Sequence, residues 1–393
     1  MGAGLASEMS PKLLDLFCGA GGLTLGAHLA GFMTAAAIDY DQDLTSSFET
    51  NFPSAPLHHI DLSVVDAKAV AALAGRDVDG VIGGPPCQGF SEMGRRRIDD
   101  PRNELVCAFM RIVGAVRPKF FLMENVPGLG QERYGDTLAR ALEELPGRYT
   151  VLEPMELNAM DYGAATSRPR LVVVGYDPNR MACINARSFL EAATGAPTSV
   201  RDAIADLPEP EQSSDAGVGA YVAHKGISEY ADIMRLPPPG NLGSDYARQL
   251  QAAGLVSGLA GTQHSHEVRE RFARLRPGER DRVSRYPKLD WDRVSPVLRA
   301  GTGRDRGSYQ AARPVHPSSP RVITVREAAR LQGFPDWFQF SQARWHSHRM
   351  IGNSVSPIFA QALLAVVLAA VTDRRRNLCS SAAGRIVGTE GAA

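Results

Sequence analysis

The chain has 393 residues, of which 44% are hydrophobic and 22% are charged, a composition typical of a globular protein with one large and one smaller domain. Its formal net charge is zero, so any contact with nucleic acid must come from a local basic surface. The five cysteines are odd in number and have no CxxC spacing. This argues against a disulfide framework or a zinc site, and it predicts reduced thiols in the cytoplasm.

Residues 1–10 lack the basic start and apolar core of a signal peptide, and we expect them to be disordered. From residue 11 to about 176, short apolar runs alternate with helical patterns. This alternation predicts βαβ units and an α/β fold with a doubly wound, mostly parallel Rossmann-like sheet. The predicted strands are Lys12–Phe17, Thr34–Ile38, Val78–Ile82, Phe120–Met123, Tyr149–Leu152 and Leu171–Val174. The predicted helices are Leu105–Val116 and Thr137–Leu145.

Glycine- or proline-marked loops at 18–22, 83–91 and 125–130 each follow a predicted strand. Ligands bind outside the carboxyl ends of the strands in open α/β sheets. The three loops are therefore expected at one edge of the sheet.

The pattern changes between residues 180 and 315, where strand–helix alternation fades and Pro, Gly, Ser and Arg become frequent. From His264 to Arg313 there are 13 Arg or Lys residues against 7 Asp or Glu. Such a run is usually a solvated face, so by itself it leaves contact with nucleic acid open. Helical patterning returns at Val325–Leu331 and at Ile358–Val371. The apolar run around the second stretch contains Pro357 and is interpreted as a buried helix, not as a membrane span.

The peptide Gly84–Ser91 places Cys87 directly behind two prolines. Because proline fixes φ and lacks a backbone donor, Pro85 and Pro86 present the thiol in a stiff conformation that suits a nucleophile. A buried structural cysteine is the alternative for a lone thiol.

The run Asp15–Gly22 ends the first strand with glycines that allow a cofactor to approach the backbone. Asp39 ends the second strand, where an acid commonly holds ribose hydroxyls, and Asp61 follows the third strand. Glu124 follows four apolar residues, so we expect a partly desolvated carboxyl with a raised pKa that can donate a proton. Arg168 and Arg170 offer planar, bidentate donors for a carboxylate, a phosphate or a base carbonyl.

Together these motifs resemble the DNA (cytosine-5)-methyltransferase family, and they occur in that family's usual order. The matching stretches are Asp15–Gly22, Asp39, Asp61, Gly84–Ser91, Glu124–Val126, Asp161–Arg170, Arg326–Asp336 and Gly352–Pro357. The resemblance covers almost the whole chain except residues 180–315 and the termini.

The resemblance implies methyl transfer from S-adenosylmethionine to C5 of a cytosine flipped out of duplex DNA. Cys87 would attack C6, Glu124 would act at N3, and Arg170 with Arg168 would hold O2 or a phosphate. No metal is implied. The implied cofactor residues are Asp15, Phe17, Gly19, Gly21, Gly22, Asp39, Asp61, Pro85, Asn353, Ser354 and Val355. The implied DNA contacts are Gln88, Ser91, Arg95, Arg97 and Arg102, in a loop that would close over the base.

The resemblance also implies an organisation along the chain. Residues 11–180 would form the catalytic and cofactor-binding domain, 181–315 an irregular target-recognition region with a DNA-facing basic surface, and 316–371 a return to the catalytic domain. Independently of the resemblance, the polar, small and Arg-bearing composition of residues 372–393 predicts a disordered tail. We expect a monomeric, cytoplasmic modification methylase of bacterial type. The recognised sequence and a paired restriction endonuclease are left open.

Two positions depart from the family pattern. Thr166 stands where the family often has glutamine, and Asp39 is one methylene shorter than the usual glutamate. Three other functions remain as alternatives: a tRNA (cytosine-5)-methyltransferase of the same architecture, a catalytically silent DNA-binding protein, and a dehydrogenase. Intact Cys87 and Glu124 argue against the silent protein, and the Pro-Pro-Cys element does not belong to dehydrogenase chemistry.

Overall fold

The computed structural model describes residues 10–86, 104–131, 135–193, 197–222, 226–301, 313–341 and 343–373. Within them an eight-stranded sheet has the order β3-β2-β1-β4-β5-β8-β6, and β7 also pairs with β8. The strands are β1 Lys12–Leu16, β2 Met33–Asp39, β3 Leu57–His59, β4 Gly80–Gly83, β5 Phe120–Asn125, β6 Thr150–Val151, β7 Met155–Asn158 and β8 Pro169–Tyr176.

Strands β1 to β5 are mutually parallel, whereas β8 runs antiparallel to β5, β6 and β7. The predicted mostly parallel sheet is therefore confirmed, and so are its six predicted strands apart from their ends. Strand β3 was expected only through the position of Asp61 after a third strand, and β7 was missed, because three or four residues give too little apolar periodicity to stand out.

Helices cover both faces of the sheet. They are α1 Gly22–Ala30, α2 Gln42–Thr45, α3 Phe48–Asn51, α4 Ala67–Ala74, α5 Glu104–Val116, α6 Gly135–Glu143, α7 Ala186–Glu191, α8 Val200–Ile204, α9 Glu229–Met234, α10 Asp245–Ala252, α11 His266–Arg274, α12 Val325–Gln332, α13 Arg344–Asn353 and α14 Pro357–Thr372. Successive strand residues point to opposite faces, so Leu13 packs in the core with α1 and α14, while Leu14 packs in the core with α4 and α5.

Residues 197–301 contribute short helices and a two-stranded antiparallel sheet formed by β9 Gly219–Ala220 and β10 Leu255–Val256. A third core joins this region to both ends of the chain. It contains Phe48 from the first part, Leu259 from the middle and Phe334 from the last part. The domain boundaries expected from the sequence remain a prediction, since this core crosses them.

One helical stretch among the described residues, Arg344–Thr372, is long and apolar enough by length and composition to cross a membrane, and 50% of its most apolar window is buried. Its second part, α14, inserts Phe359, Leu363 and Val367 into the core against α1. This packing agrees with the interpretation of Ile358–Val371 as a buried helix.

The cysteines differ in one respect from the expectation. Cys18 and Cys107 are free and buried, whereas Cys183 is disulfide-bonded. The prediction that the thiols are reduced is therefore wrong for Cys183, because sequence spacing does not report which cysteines approach each other in space.

A buried ion network joins α12 to the middle of the chain. The guanidinium of Arg330 donates to Asp336 at 2.5 Å, to Asp206 at 3.1 Å and to the carbonyl of Ala203 at 2.9 Å. Burial alone would lower the pKa of Arg330, but the two carboxylates raise it above its ordinary value. Asp206 also receives Arg235 at 2.7 Å. The network therefore fixes the region around Asp206 to the C-terminal part of the core.

Replacing Arg330 by alanine should destabilise the protein by about 3–5 kcal/mol, because the buried carboxylate of Asp336 loses its closest cation and that of Asp206 loses one of its two arginine partners. Urea denaturation followed by circular dichroism measures this loss. Arg201→Ala is the matched control: its ion pair with Asp292 is exposed, so it should cost about 0–1 kcal/mol. Equal effects of the two variants would contradict the assignment.

Candidate active site

The carboxyl ends of β1, β4 and β5 lie side by side, because Leu16 is in register with Gly83 and Gly83 with Met123. The three loops predicted to share an edge do so at the points where the structure describes them. Residues 87–103, and with them Cys87, Gln88, Ser91, Arg95, Arg97 and Arg102, lie outside the described residues.

The glycine loop, residues 18–22, follows β1 with a backbone that turns sharply. Phe17, Gly19 and Gly21 have positive φ values of 60°, 52° and 89°, a region that glycine adopts without strain and phenylalanine adopts at a cost. A Cβ on Gly19 would meet nothing within 4 Å, so the loop has open space beside its backbone. Gly22 begins α1, and a Cβ there would collide with the carbonyl oxygen of Val355.

Asp15 is almost fully buried beneath this loop. One carboxyl oxygen accepts a hydrogen bond from Thr24 at 2.5 Å, and the other, Oδ1, has no partner among the described residues. Desolvation raises the pKa of Asp15 to about 7, an effect that the Thr24 hydroxyl opposes and the nearby Asp39 strengthens. A buried oxygen without a partner is costly for the protein by itself, and it suits a ligand that brings a donor.

Asp39 holds the loop from the second strand. Its carboxylate accepts the backbone N–H of Gly19 at 2.8 Å and that of Asp41 at 2.8 Å, while burial raises its pKa. Each oxygen retains a lone pair for a further donor. Asp61 lies two residues beyond β3, and its carboxylate accepts the backbone and side chain of Ser63.

Glu124 and Arg170 form an ion pair at 2.5 Å, with side chains only 12% and 11% exposed. Because β5 and β8 are antiparallel, Glu124 lies opposite Val172, and Arg170 is its diagonal neighbour on the same face. The sequence analysis predicts both residues as catalytic, but it does not predict an ion pair between them. The expected desolvated setting of Glu124 agrees with its burial.

Asn125 links this pair to the proline element. Its side-chain amide donates to the carbonyl of Pro85 at 3.1 Å, and its oxygen accepts the backbone N–H of Val126 at 2.8 Å. A Cβ on Gly84 would lie 3.1 Å from the Glu124 carboxylate. The backbone that leads into Cys87 therefore runs directly past Glu124 and is fixed by Asn125, whose role the sequence analysis did not single out.

The ion pair of the Glu124 carboxylate is with Arg170 and not with Arg168. The Arg168 side chain is buried, and its terminal nitrogens donate to the carbonyls of Leu298 at 3.2 Å and Gly352 at 2.9 Å. Burial, with a smaller contribution from Arg170, lowers the pKa of its guanidinium well below the ordinary value. Thr166 is fully buried beside it and donates to the carbonyl of Pro296 at 3.3 Å.

The C-terminal loop, residues 353–355, closes the site against the glycine loop. The carbonyl of Ser354 accepts the side-chain amide of Gln332 at 2.7 Å, and the hydroxyl of Ser354 donates to Met350 at 2.8 Å. Asn353 is exposed and Val355 is buried. Tyr40, next to Asp39, is 72% exposed, which the sequence analysis also missed, since one tyrosine after a strand carries no pattern.

The fold is an open α/β sheet that has a glycine loop after β1, an acid at the end of β2 and a buried Glu–Arg pair at the same edge. These features define a Rossmann-like methyltransferase fold. The chain belongs to the C-5 cytosine-specific DNA methylase family, whose model matches residues 11–368. It is a DNA (cytosine-5-)-methyltransferase, and this family uses S-adenosylmethionine. Membership separates it from the dehydrogenases and favours DNA over tRNA as the substrate.

Individual relatives extend over nearly the whole chain. The type II methyltransferase M.XorII of Xanthomonas oryzae pv. oryzae is 40% identical over 90% of this chain and 83% of its own length. M.AgeI of Thalassovita gelatinovora is 30% identical over 92% and 100%. The crystal structure of an E. coli prophage-encoded DNA modification methyltransferase is 38% identical, with a TM-score of 0.81 over 93% of this chain and 100% of that chain. The S. pombe Dnmt2 structure, 16% identical with a TM-score of 0.59, shows the fold alone.

Replacing Asp15 by asparagine should stabilise the cofactor-free protein at high pH. Between the ordinary pKa of 3.8 and the folded value of about 7, the folded state binds the proton more tightly than the unfolded state, so stability falls as pH rises through this window. Asparagine does not titrate and removes a penalty on the order of a few kcal/mol above pH 7. Thermal unfolding should show the variant's advantage growing from pH 5 to pH 8; an advantage independent of pH would refute the assignment.

Replacing Asn125 by alanine should slow single-turnover methyl transfer on the order of 10²-fold, since misplacement of a reacting group by about 1 Å costs that much. Binding of S-adenosylhomocysteine, measured by calorimetry, should change far less than the transfer rate, because Asn125 contacts the proposed cofactor site only through Pro85 and not through Asp39 or the glycine loop. Asn185→Ala is the control, an exposed asparagine that caps α7. An unchanged transfer rate in Asn125→Ala would show that the Pro85 hydrogen bond does not position the nucleophile.

Proposed function

We propose that this enzyme methylates C5 of a flipped-out cytosine in a specific duplex DNA sequence through a covalent bond between Cys87 and C6. The observation that carries the proposal is the buried Glu124–Arg170 pair, which lies beside the Gly84–Pro85 backbone leading into Cys87. An acid and a cation thereby lie beside the backbone that leads to the proposed nucleophile.

The thiolate of Cys87 adds to C6 of the cytosine, forming a C–S bond and making C5 electron-rich. Glu124 shares a proton with N3. This draws electron density away from C6 and so favours attack by the thiolate. Arg170 keeps Glu124 in place and offers its remaining donors to the carbonyl O2. C5 then takes the methyl group, whose former bonding electrons would remain on the sulfur of the methyl donor. A base removes the C5 proton, the electrons of that C–H bond restore the C5–C6 double bond, and Cys87 leaves as a thiolate with the electrons of the C–S bond.

The described residues fit S-adenosylmethionine, which supplies an electrophilic methyl group when bound. The unpartnered Oδ1 of Asp15 suits an ammonium group, and the open space beside Gly19 admits a ligand against the backbone. Asp39 retains lone pairs for ribose hydroxyls, and the exposed ring of Tyr40 offers an apolar face for a base. Phe17, Gly21, Gly22, Asp61, Pro85 and residues 353–355 complete the proposed site.

The remaining parts of the proposal concern partners and context. Residues 181–315 would recognise the DNA sequence, and the segment with Gln88, Ser91, Arg95, Arg97 and Arg102 would contact the DNA around the base. The names of the relatives support a type II modification methyltransferase of a restriction–modification system. We infer that it acts as a monomer in the bacterial cytoplasm and needs no metal.

The covalent step is tested with duplex DNA in which 5-fluorocytosine replaces cytosine, because fluorine at C5 blocks the final elimination. With S-adenosylmethionine present, the enzyme should form an adduct with the DNA that survives denaturing electrophoresis, and Cys87→Ala should form none. Bisulfite sequencing of DNA from cells expressing the chain identifies the cytosine. Absence of an adduct on mixed-sequence duplexes with folded protein would instead support a catalytically silent DNA-binding protein.

A further inference from the structure

The segment of residues 295–300, here called the recognition segment, lies against the entry to β8. Ser295 is fully buried. Its N–H donates to the carbonyl of Ala165 at 2.9 Å, and its carbonyl accepts the N–H of Ser167 at 2.8 Å. This part of the proposed recognition region is therefore bonded through its backbone to the turn that leads to Arg168 and Arg170.

Arg168 bonds the same segment to a third part of the chain. Its guanidinium donates to Leu298 in the recognition segment and to Gly352, the residue before the C-terminal loop. Its own N–H donates to the side chain of Asn158 at 2.7 Å, while its Nε has no partner. A buried guanidinium held by neutral carbonyls is an expensive way to stabilise a fold, so a role in joining these two elements accounts for it better than stability alone.

Gly352 makes the contact between these elements direct. A Cβ at this position would lie 2.6 Å from the backbone nitrogen of Ala300 and 2.6 Å from the carbonyl carbon of Arg299. Only a glycine lets the end of α13 rest on the backbone of the recognition segment. The residues that follow, Ser354 and Val355, lie against Gly22 in the glycine loop.

We propose that Arg168 is a positioning residue which, with Gly352, couples the recognition segment to the C-terminal loop, so that bound DNA and bound cofactor change each other's affinity. The inference rests on the proposed function, which assigns DNA to residues 181–315 and the cofactor to residues 353–355. A displacement of residues 295–300 by DNA is transmitted through two carbonyls on one guanidinium. Such coupling is reciprocal, so the two ligands alter each other's dissociation constant by the same factor.

The test measures the dissociation constant of S-adenosylhomocysteine by calorimetry, without DNA and with sonicated DNA from a host that lacks cytosine methylation. In the wild type, DNA should change this constant by a factor on the order of 5–150. Arg168→Lys, which keeps the charge but cannot reach both carbonyls in the same planar geometry, should bring the factor close to one. Arg187→Lys is the control, because Arg187 is exposed and, within the described ranges, its ion pair is with Glu191 on the same helix, α7.

Gly352→Ala is the second variant, since its methyl group separates α13 from residues 299–300 while leaving the Arg168 side chain intact. If Arg168→Lys does not fold, Gly352→Ala tests whether the contact between α13 and residues 299–300 carries the coupling. A wild-type factor of one, or folded variants that keep the wild-type factor, would overturn the inference. The proposed function is tested separately, by measuring the transfer of a tritiated methyl group by the wild type. Methyl transfer without coupling between the two ligands rejects only the inference. Coupling without methyl transfer rejects only the catalytic proposal.

Discussion

The antiparallel pairing of β5 with β8 is the constraint on which the site depends. In a parallel pair the carboxyl end of one strand lies beside the carboxyl end of its neighbour. Glu124 is at the end of β5, but Arg170 is at the beginning of β8, so only the reversed direction of β8 places them at one edge. The pair is then buried on one face of the sheet, where a low dielectric strengthens the attraction between the charges.

The other parts of the site are arranged around this edge by close backbone contacts. Asn125 fixes the proline element beside Glu124, and Asp39 fixes the glycine loop through the N–H of Gly19. Gly22 admits the carbonyl of Val355, which brings a residue from the far end of the chain to the start of α1. The absence of a side chain at Gly22 is therefore a packing requirement, and the C-terminal part of the chain completes a site begun by the first strand.

Several features of the fold and the site could be predicted from the sequence, because they depend on local periodicity. Alternating apolar runs and helical patterns gave the strands that form the centre of the sheet, and loops at the carboxyl ends of parallel strands necessarily share an edge. The glycine loop, Asp39, Glu124 and Arg170 were found in this way or through the order of motifs. The disulfide at Cys183 was not found, because it depends on a contact in the folded chain. Strand β7 and the exposed ring of Tyr40 were not found either, because four residues and a single tyrosine carry too little pattern.

Arg168 shows most clearly where the sequence stops being sufficient. By itself the sequence determined the fold class, the family and the candidate residues for cytosine methylation, because residue chemistry and motif order are properties of the chain. Two arginines at positions 168 and 170 are chemically identical in that description. The tertiary structure alone decided that one meets Glu124 while the other is buried against carbonyls from residues 298 and 352. The physical reason is that the partners lie 46 residues away from Arg170, and 130 and 184 residues away from Arg168, and only the folded chain brings them within hydrogen-bonding distance.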